Sequence, residues 1–386
     1  MDHLGRVPKL VREGFTGEIY SHPATHDLAR PMLEDALSRM EFESKEHGQK
    51  PYYSKEDIET SFSHWKDISY NESQNICGYK VTLRDAGHIL GSGMFELEYD
   101  GKRILFTGDL GNSPSILLPD TEPIKDIDYL VMESVYGDRN HEDKDERTEK
   151  LKQTILDTIS RGGTLIIPAF SLERTQMIIY EINNLVEDKK IPSIPVFVDS
   201  PLAIKVTDIY KKYINLFNKN IQEEIRKGDD IFSFPKLKYT IRPAESRAIE
   251  ETPNPKIIIA GSGMSVGGRV LDHESKHLSD PKSTVLLVGF QPLGTLGRQL
   301  EDGIKKIKIN GREIPVHAHI EVIRAYSSHK DSDHLIEFVE SSAATLKKVF
   351  VAMGEPKSSL YLAQRLRDYL DVNAIYPEKG KTYELS

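Results

Sequence analysis

Residues 94–111, MFELEYDGKRILFTGDLG, decide the fold of the first part of the chain. Apolar and polar residues alternate on both sides of Asp100-Gly101, a dipeptide that favours the tight turn of an antiparallel hairpin. The second apolar run ends in a glycine-rich loop that carries Asp109. A loop carboxylate is able to bridge two cations about 3.5–4 Å apart, although an Asx-turn uses the same residue type. The stretch therefore predicts a hairpin that leads into a candidate metal ligand.

Further apolar runs flank this hairpin. VTLRDAG precedes it at residues 81–87, and IDYLVMESVYG follows it at residues 127–137. Both runs are bounded by turn residues and have the length of strands. The stretch from about Asp27 to Asn71 is polar and helix-compatible, and we assign it no chemistry. We assign residues 1–159 to the first part of a strand-rich domain.

The pattern changes near residue 147, where an amphipathic repeat predicts a helix that ends at Gly162-Gly163. Apolar strands and helical patterns then alternate, which is typical of βαβ crossovers and a parallel sheet. The predicted strands are TLIIPAF, PVFVDS, KIIIAGSG and STVLLVGF. We assign residues 160–306 to a second domain and residues 307–386 to the C-terminal part of the first. The chain is thus predicted to combine α/β and α+β architecture.

Composition narrows the class of protein. The 386 residues are 38% hydrophobic and 29% charged, which excludes a disordered or fibrous chain. With 51 basic and 60 acidic residues the net charge is -9, which argues against coating nucleic acid by bulk electrostatics but allows a metal-filled cleft. The lack of an apolar run of membrane-spanning length or of a signal-peptide stretch predicts a soluble, cytoplasmic protein without a membrane partner.

The single cysteine, Cys77, excludes an internal disulfide and a cysteine-rich zinc site. Any metal must therefore be held by histidine and carboxylate side chains, a ligand set that suits hydrolytic zinc centres. Such ligands concentrate in four loops, and any one of them alone is more often a capping residue. The candidates are Asp2, His3, His88, Asp109 and His329.

Seven motifs, taken in order, resemble the β-CASP branch of the metallo-β-lactamase superfamily, the RNA-processing nucleases of the cleavage and polyadenylation specificity factor type. They are DHLGR, GHILGSG, FTGDLG, MESVYGDR, AGSGM, GTLGRQL and YSSHKD, and they cover nearly the whole chain. The resemblance implies a metallo-β-lactamase αββα sandwich, its first strands missing here, with an inserted β-CASP α/β domain.

The resemblance also implies roles for the candidate ligands. Asp2, His3 and His329 would hold one zinc ion, His88 would hold another, and Asp109 would bridge them. A complete site would thus contain two Zn²⁺ ions, and the truncated chain one. Asp2 is also implied to take part in catalysis.

Glu133 matches the first additional acidic motif of the family. The resemblance implies a catalytic role for it, either beside the metal ligands or in handling a proton near the bridging water. Without the resemblance, a cap after a strand explains a glutamate at this position equally well.

The loop after KIIIA presents backbone amides at a strand end, which is a natural place for a phosphate oxygen. Its G-x-G-x-x-x-G spacing departs from the dinucleotide-binding pattern. The resemblance implies that Ser262, Gly263 and Met264 contact the substrate backbone. Arg298 resembles a residue of a second substrate-facing loop, although a surface ion pair would also explain it.

Two positions depart from the family pattern. The zinc signature H-x-H-x-D-H begins here only at x-D-H, so two ligands of the His88 zinc are absent. We expect that the chain starts at an internal methionine of a longer reading frame; the alternative is a truncated protein without catalysis. Met353 stands where the family has a histidine before Gly-Glu, and a thioether transfers no proton. A reduced rate, altered substrate preference, a substitute group or plain packing of Met353 would each fit.

These observations predict a zinc-dependent ribonuclease that hydrolyses phosphodiester bonds of single-stranded RNA in RNA processing or decay. One alternative is a catalytically impaired RNA-binding or assembly subunit. Another is a metallo-hydrolase of a different phosphodiester or an ester, because the fold alone does not select the reaction. Single-stranded RNA is the expected partner, and a homodimer is left open.

Overall fold

The computed structural model describes residues 3–141 and 144–385. It divides into two compact units. The first unit comprises Met1–Asn140, Asn215–Phe217 and Ser328–Ser386, and the second comprises His141–Ile214 and Asn218–Ser327. The second unit is therefore inserted into the first along the chain.

The secondary structure is mixed. The strands are β1 (Ile19–Ser21), β2 (Trp65–Asp67), β3 (Ser73–Ile76), β4 (Tyr79–Asp85), β5 (Gly93–Tyr99), β6 (Lys102–Phe106), β7 (Tyr129–Met132), β8 (Thr164–Pro168), β9 (Val196–Asp199), β10 (Leu237–Tyr239), β11 (Lys256–Ala260), β12 (Thr284–Leu287), β13 (Lys306–Ile309), β14 (Arg312–Pro315), β15 (His319–Val322), β16 (Lys348–Val351) and β17 (Ala374–Ile375). The helices are α1 (Val7–Arg12), α2 (Pro23–His47), α3 (Lys55–Ser63), α4 (Lys144–Arg161), α5 (Arg174–Glu187), α6 (Pro201–Lys212), α7 (Lys219–Arg226), α8 (Pro243–Ala248), α9 (Arg269–His277), α10 (Leu296–Glu301), α11 (Ser332–Glu340) and α12 (Pro356–Leu370). Among the described residues, no helix combines the length and the apolar character needed to cross a membrane.

A seven-stranded sheet in the order β17-β16-β7-β6-β5-β4-β3 forms the centre of the first unit. The predicted hairpin is confirmed, because β5 and β6 pair antiparallel with Tyr99 opposite Lys102 across the turn. Asp100 and Gly101 both have positive φ, as this turn type requires. Strands β6, β7, β16 and β17 run parallel, and α11 and α12 bury apolar side chains against them. The sheet thereby fixes the strand ends from which the site loops emerge.

The polar stretch between Asp27 and Asn71 is helical only in part. Helices α2 and α3 confirm the expected helical character, and Ser54 and Asp57 form a capping box at the start of α3. Trp65, however, begins a strand, and β2 pairs in parallel with β1. The buried Trp65 packs with residues such as Leu33 and Ile58 in a small satellite core. This contact, rather than local propensity, determines the strand.

The second unit is built on a six-stranded sheet in the order β10-β9-β11-β8-β12-β15, and every pair of neighbours is parallel. The predicted parallel sheet is thus confirmed. Strands β8, β9, β11 and β12 are buried at every position, which explains why they read as continuous apolar runs.

The outer strand β15 lies beyond residue 306, where the sequence placed the end of the second domain. It alternates between exposed and half-buried residues, so its pattern is that of an edge strand and does not reveal its sheet. Its partner β12 pairs Thr284 with His319 and Leu287 with Val322. The domain boundaries at residues 159 and 306 stay a prediction.

Two buried carboxyl groups of the second unit predict a pH-dependent stability. Burial raises the pKa of Glu173 to about 7, although Tyr210 donates a hydrogen bond to it. Burial also raises the pKa of Glu274 to about 7 against the hydrogen bond from Ser265. The unfolded chain releases these protons near the ordinary glutamate value, so stability is full below that value and is lost as the pH rises through about 7.

We therefore expect the free energy of unfolding of this unit to fall by on the order of 5 kcal/mol, about half from each group, between about pH 5 and pH 8. Urea titrations across this range measure it, and Glu173→Gln with Glu274→Gln should flatten the slope. The exposed Glu251→Gln is the matched control. A slope that persists unchanged in the double variant would assign the pH dependence to other groups.

Candidate metal centre

The loops that carry His88 and Asp109 touch each other at a glycine. Strand β6 ends at Phe106, and the loop that follows turns back so that the N–H of Gly111 donates to the carbonyl of Ala86 at 2.8 Å. A Cβ atom on Gly111 would lie 2.0 Å from the carbonyl oxygen of Gly87. Only glycine permits this approach, which brings two candidate ligands from separate strand ends together.

The loop that carries His329 is laid across the Asp109 loop by backbone hydrogen bonds. The N–H of Asn112 donates to the carbonyl of Ser328 at 2.7 Å, and the N–H of Lys330 donates to the carbonyl of Leu110 at 2.9 Å. His329 and Gly111 form an isolated antiparallel bridge. These contacts position His329 beside Asp109, although most of the chain separates them.

His88, Asp109 and His329 converge, and each offers one ligand atom within 4.8 Å of the others. The ring centroids of His88 and His329 are 4.4 Å apart, and Nε2 of His88 is 3.8 Å from Oδ2 of Asp109. His3 joins the group, since its Nε2 lies 2.9 Å from the same Oδ2. The predicted ligand Asp2 lies outside the described residues.

The half-buried His88 and His329 are each oriented by their second ring nitrogen. Nδ1 of His88 is 3.1 Å from the carbonyl of Ser328, and a carbonyl only accepts, so Nδ1 carries the proton and Nε2 keeps its lone pair. Nδ1 of His329 lies 3.2 Å from both carboxylate oxygens of Glu133. Histidines that ligate metals show this arrangement in most sites. The donor set therefore fits a divalent metal ion.

The electrostatics of the group favour the ligand protonation states. Burial, together with the charge of His329, lowers the pKa of His88 to about 3. Burial alone would raise the pKa of Asp109, but the hydrogen bond from His3 and the charges of His88 and His329 lower it to about 2. A neutral imidazole and an ionised carboxylate are the forms that bind metal.

Glu133 lies behind His329, and its side chain is fully buried. One of its oxygens accepts a hydrogen bond from the N–H of Leu110, and both face Nδ1 of His329. The sequence analysis identified Glu133 but missed Leu110 and Ser328, whose backbone groups contact Glu133 and His88. The only sequence signal for these two residues is that each adjoins a candidate ligand, Leu110 in FTGDLG and Ser328 in YSSHKD.

The predicted substrate loop lies in the second unit, after β11. The carbonyl of Gly263 accepts from Nε2 of Gln291 at 3.1 Å, and the carbonyl of Met264 accepts from the N–H of Gly297 at 3.3 Å. Ser262 Oγ accepts from the N–H of Val266 at 3.0 Å. Within the part of the chain that the structure describes, the N–H groups of Gly263 and Met264 make no hydrogen bond.

The side chain of Arg298 contacts the C-terminal end of its own helix, α10. Its Nε donates to Asp302 at 2.9 Å, and its backbone N–H donates to the capping hydroxyl of Thr295. Gly297 in helix α10 contacts the substrate loop through its hydrogen bond to Met264, and Arg298 is the next residue in the sequence. The guanidinium of Arg298, however, forms an i,i+4 ion pair with Asp302. Such an exposed pair contributes little to stability.

Met353 follows β16 at a position with φ of 56°. Its side chain is 46% exposed. The position is therefore accessible to solvent, and the alternatives for Met353 stay predictions.

Comparisons with known proteins agree with this geometry. The Beta-Casp domain family matches residues 175–300, and the Zn-dependent metallo-hydrolase RNA specificity domain matches residues 313–377. Ribonuclease TTHA0252 of Thermus thermophilus is 31% identical over 95% of this chain and 82% of its own length. The RNase J-like protein of Methanocaldococcus jannaschii is 33% identical over 98% and 85%. Transcription termination factor FttA of Pyrococcus horikoshii is 30% identical over 100% of this chain but 60% of its own length.

The family models and relatives, together with the cluster of histidine and carboxylate side chains, identify the chain as a metallo-hydrolase. The chain belongs to the β-CASP family of the metallo-β-lactamase superfamily. The predicted fold, a metallo-β-lactamase domain with an inserted β-CASP domain, is thus confirmed.

Proposed function

We propose that this protein is a zinc-dependent ribonuclease that hydrolyses phosphodiester bonds of single-stranded RNA. The observation that carries the proposal is the convergence of His88, Asp109 and His329, with both imidazoles oriented by acceptors on Nδ1. The named activities of the relatives, two ribonuclease-type proteins and a termination factor, support RNA as the substrate class.

In this proposal Asp2, His3 and His329 would hold one of two zinc ions in a complete site, His88 would hold the other, and Asp109 would serve both. The contacts of Asp109 support this shared role, because Oδ2 faces both His3 and His88. When bound, zinc acidifies an attacking water and stabilises negative charge on the phosphate.

The residues of the chain supply orientation and charge. Ser328 and Glu133 fix the rings of His88 and His329, and the ionised Asp109 keeps negative charge at the centre of the donor set. Ser262, Gly263 and Met264 are proposed to bind the substrate backbone through their hydroxyl and N–H groups. Arg298 is proposed to exchange its ion pair with Asp302 for a phosphate.

The deciding experiment measures zinc content and cleavage of an end-labelled single-stranded RNA. It uses the 386-residue chain and, where the reading frame encodes an H-x-H sequence before Met1, a form extended to include it. We expect about two zinc ions per chain in the form that carries the complete ligand set, and cleavage that a chelator abolishes and added zinc restores. Folded protein that binds RNA without cleaving it would replace the proposal by a non-catalytic RNA-binding subunit, which the methionine at 353 would then help to explain. Cleavage of small phosphodiesters but not RNA would indicate a different substrate.

Glu133→Gln tests the role of the buried carboxylate. We expect the affinity for zinc to fall about 10- to 100-fold, because an amide no longer attracts the Nδ1 proton of His329 as a carboxylate does. Competition titration with a chromophoric chelator measures it, with the exposed Glu340→Gln as the matched control. If excess zinc restores the full rate, Glu133 positions His329. A rate that stays low at saturating zinc would instead assign it the proton transfer.

A cytoplasmic location and a homodimer stay predictions.

A further inference from the structure

The exposed apolar side chains of the second unit are concentrated at one edge of its sheet. Of its six large hydrophobic residues that are exposed in the described ranges, five follow the carboxyl end of a parallel strand. They are Phe170 after β8, Ile241 after β10, Val266 after β11, and Phe290 and Leu293 after β12. Because carboxyl ends of parallel strands meet at one edge, these side chains form a patch rather than a scatter.

The two aromatic members of the patch are neighbours of the predicted substrate loop. A Cβ atom on Gly263 would lie 2.9 Å from the backbone nitrogen of Phe170 and 3.1 Å from its ring carbons Cγ and Cδ2. The Phe170 ring therefore borders Gly263 directly, yet 38% of the residue remains exposed.

Phe290 reaches the same loop from the adjacent strand. Strands β8 and β12 are neighbours in the sheet, with Val285 opposite Ile166, so the segments that follow them leave the sheet from neighbouring positions at the same edge. Gln291, the next residue, donates to the carbonyl of Gly263 at 3.1 Å. Phe290 itself is 45% exposed.

Of the two arginines named near this edge, Arg269 is held by the buried Asp199 at 2.6 Å and by two backbone carbonyls, whereas Arg298 has only its ion pair with Asp302 to exchange. The loop adds the N–H groups of Gly263 and Met264 as donors. Backbone donors beside exposed aromatic rings are typical of surfaces that hold single-stranded nucleic acid.

We propose that Phe170 and Phe290 form a stacking platform for bases of single-stranded RNA whose backbone contacts the 262–264 loop. The inference rests on the proposed ribonuclease function and adds how the substrate is recognised. Stacking uses the face that every base has, so recognition at this edge selects unpaired bases without selecting their sequence.

The test removes the aromatic face and the base separately. Binding of a short single-stranded RNA containing 2-aminopurine is measured in the Asp109→Asn background, which prevents cleavage. Phe170→Leu and Phe290→Leu should each weaken binding by about 5- to 100-fold and reduce the quenching of 2-aminopurine. An RNA that lacks the stacked base should bind the parent weakly. It should bind the leucine variant with the same weak affinity, because the abasic site and the substitution remove the same interaction.

The controls separate stacking from a loss of folding or of apolar area. Phe170→Tyr and Phe290→Tyr should restore binding, and Tyr99→Leu, an exposed aromatic on the β5–β6 hairpin, should leave it unchanged. In the cleaving enzyme the leucine variants should raise KM with little change in kcat. Leucine variants that bind and cleave RNA like the parent would overturn the inference while the ribonuclease proposal stands, and would leave the patch to a protein partner. A parent that neither binds nor cleaves RNA would overturn both.

Discussion

Replacing Asp109 by asparagine is expected to lower zinc-dependent hydrolysis of single-stranded RNA by about 1,000-fold or more. The ionised carboxylate faces both His3 and His88, and an amide at this position supplies neither the charge nor a strong ligand oxygen. The same variant should retain less zinc after dialysis. Single-turnover cleavage of a labelled RNA and metal analysis of the same sample measure both effects.

The chain offers a close control for this change. Asp100→Asn makes the same substitution at the exposed turn of the β5–β6 hairpin, where asparagine also accepts positive φ. We expect wild-type zinc content and activity from it. If Asp109→Asn kept cleavage within about tenfold of the wild type, Asp109 would not be essential to the metal centre that we propose for hydrolysis.

Asp199→Ala is expected to lower the stability of the second unit by about 3–5 kcal/mol. Asp199 ends β9 with a fully buried carboxylate. It accepts hydrogen bonds from His273 at 2.7 Å and Arg269 at 2.6 Å, and from the hydroxyls of Thr240 and Ser246. Burial raises the pKa of Asp199, but the hydrogen bonds from His273, Ser246 and Thr240 outweigh it and hold the pKa below its usual range.

Alanine would remove the acceptor of Nε2 of the buried His273 and the charged partner of Arg269, which is the reason for the large expected loss. Urea unfolding, followed by hydrogen exchange of the β9 and β11 amides, measures the stability of this unit. Asp272→Ala, at an exposed position in the first turn of α9, should cost less than about 1 kcal/mol. A loss of similar size in both variants would contradict the buried network as the cause.

Much of the fold could be predicted from the sequence because its local patterns match its tertiary environment. Asp100-Gly101 between alternating strands specified the hairpin, and the continuous apolar runs of β8, β11 and β12 specified a buried parallel sheet. The edge strand β15 was not assigned to that sheet, because a half-exposed strand has the same pattern in any sheet. The strand at Trp65 was missed because its partner β1 is three residues long and distant.

The candidate site was predictable in residue types and less so in geometry. Histidines and carboxylates in loops, two of them beside glycines, marked His88, Asp109 and His329 as candidate ligands, and the structure brings them together. The sequence allowed Glu133 either to lie beside the metal ligands or to handle a proton, and in the structure its carboxylate contacts Nδ1 of His329. The sequence allowed Arg298 either to face the substrate or to form a surface ion pair, and in the structure its guanidinium pairs with Asp302.

By itself the sequence determined most of the strands and helices, the residue types of the candidate ligands and the family, because hydrophobic periodicity, turn residues and motif order can be read along the chain. Only the tertiary structure decided which nitrogen of each imidazole faces the donor set and that aromatic rings border Gly263. Those features depend on contacts between loops far apart in sequence, where one hydrogen bond or one glycine fixes the geometry. No local pattern encodes such contacts.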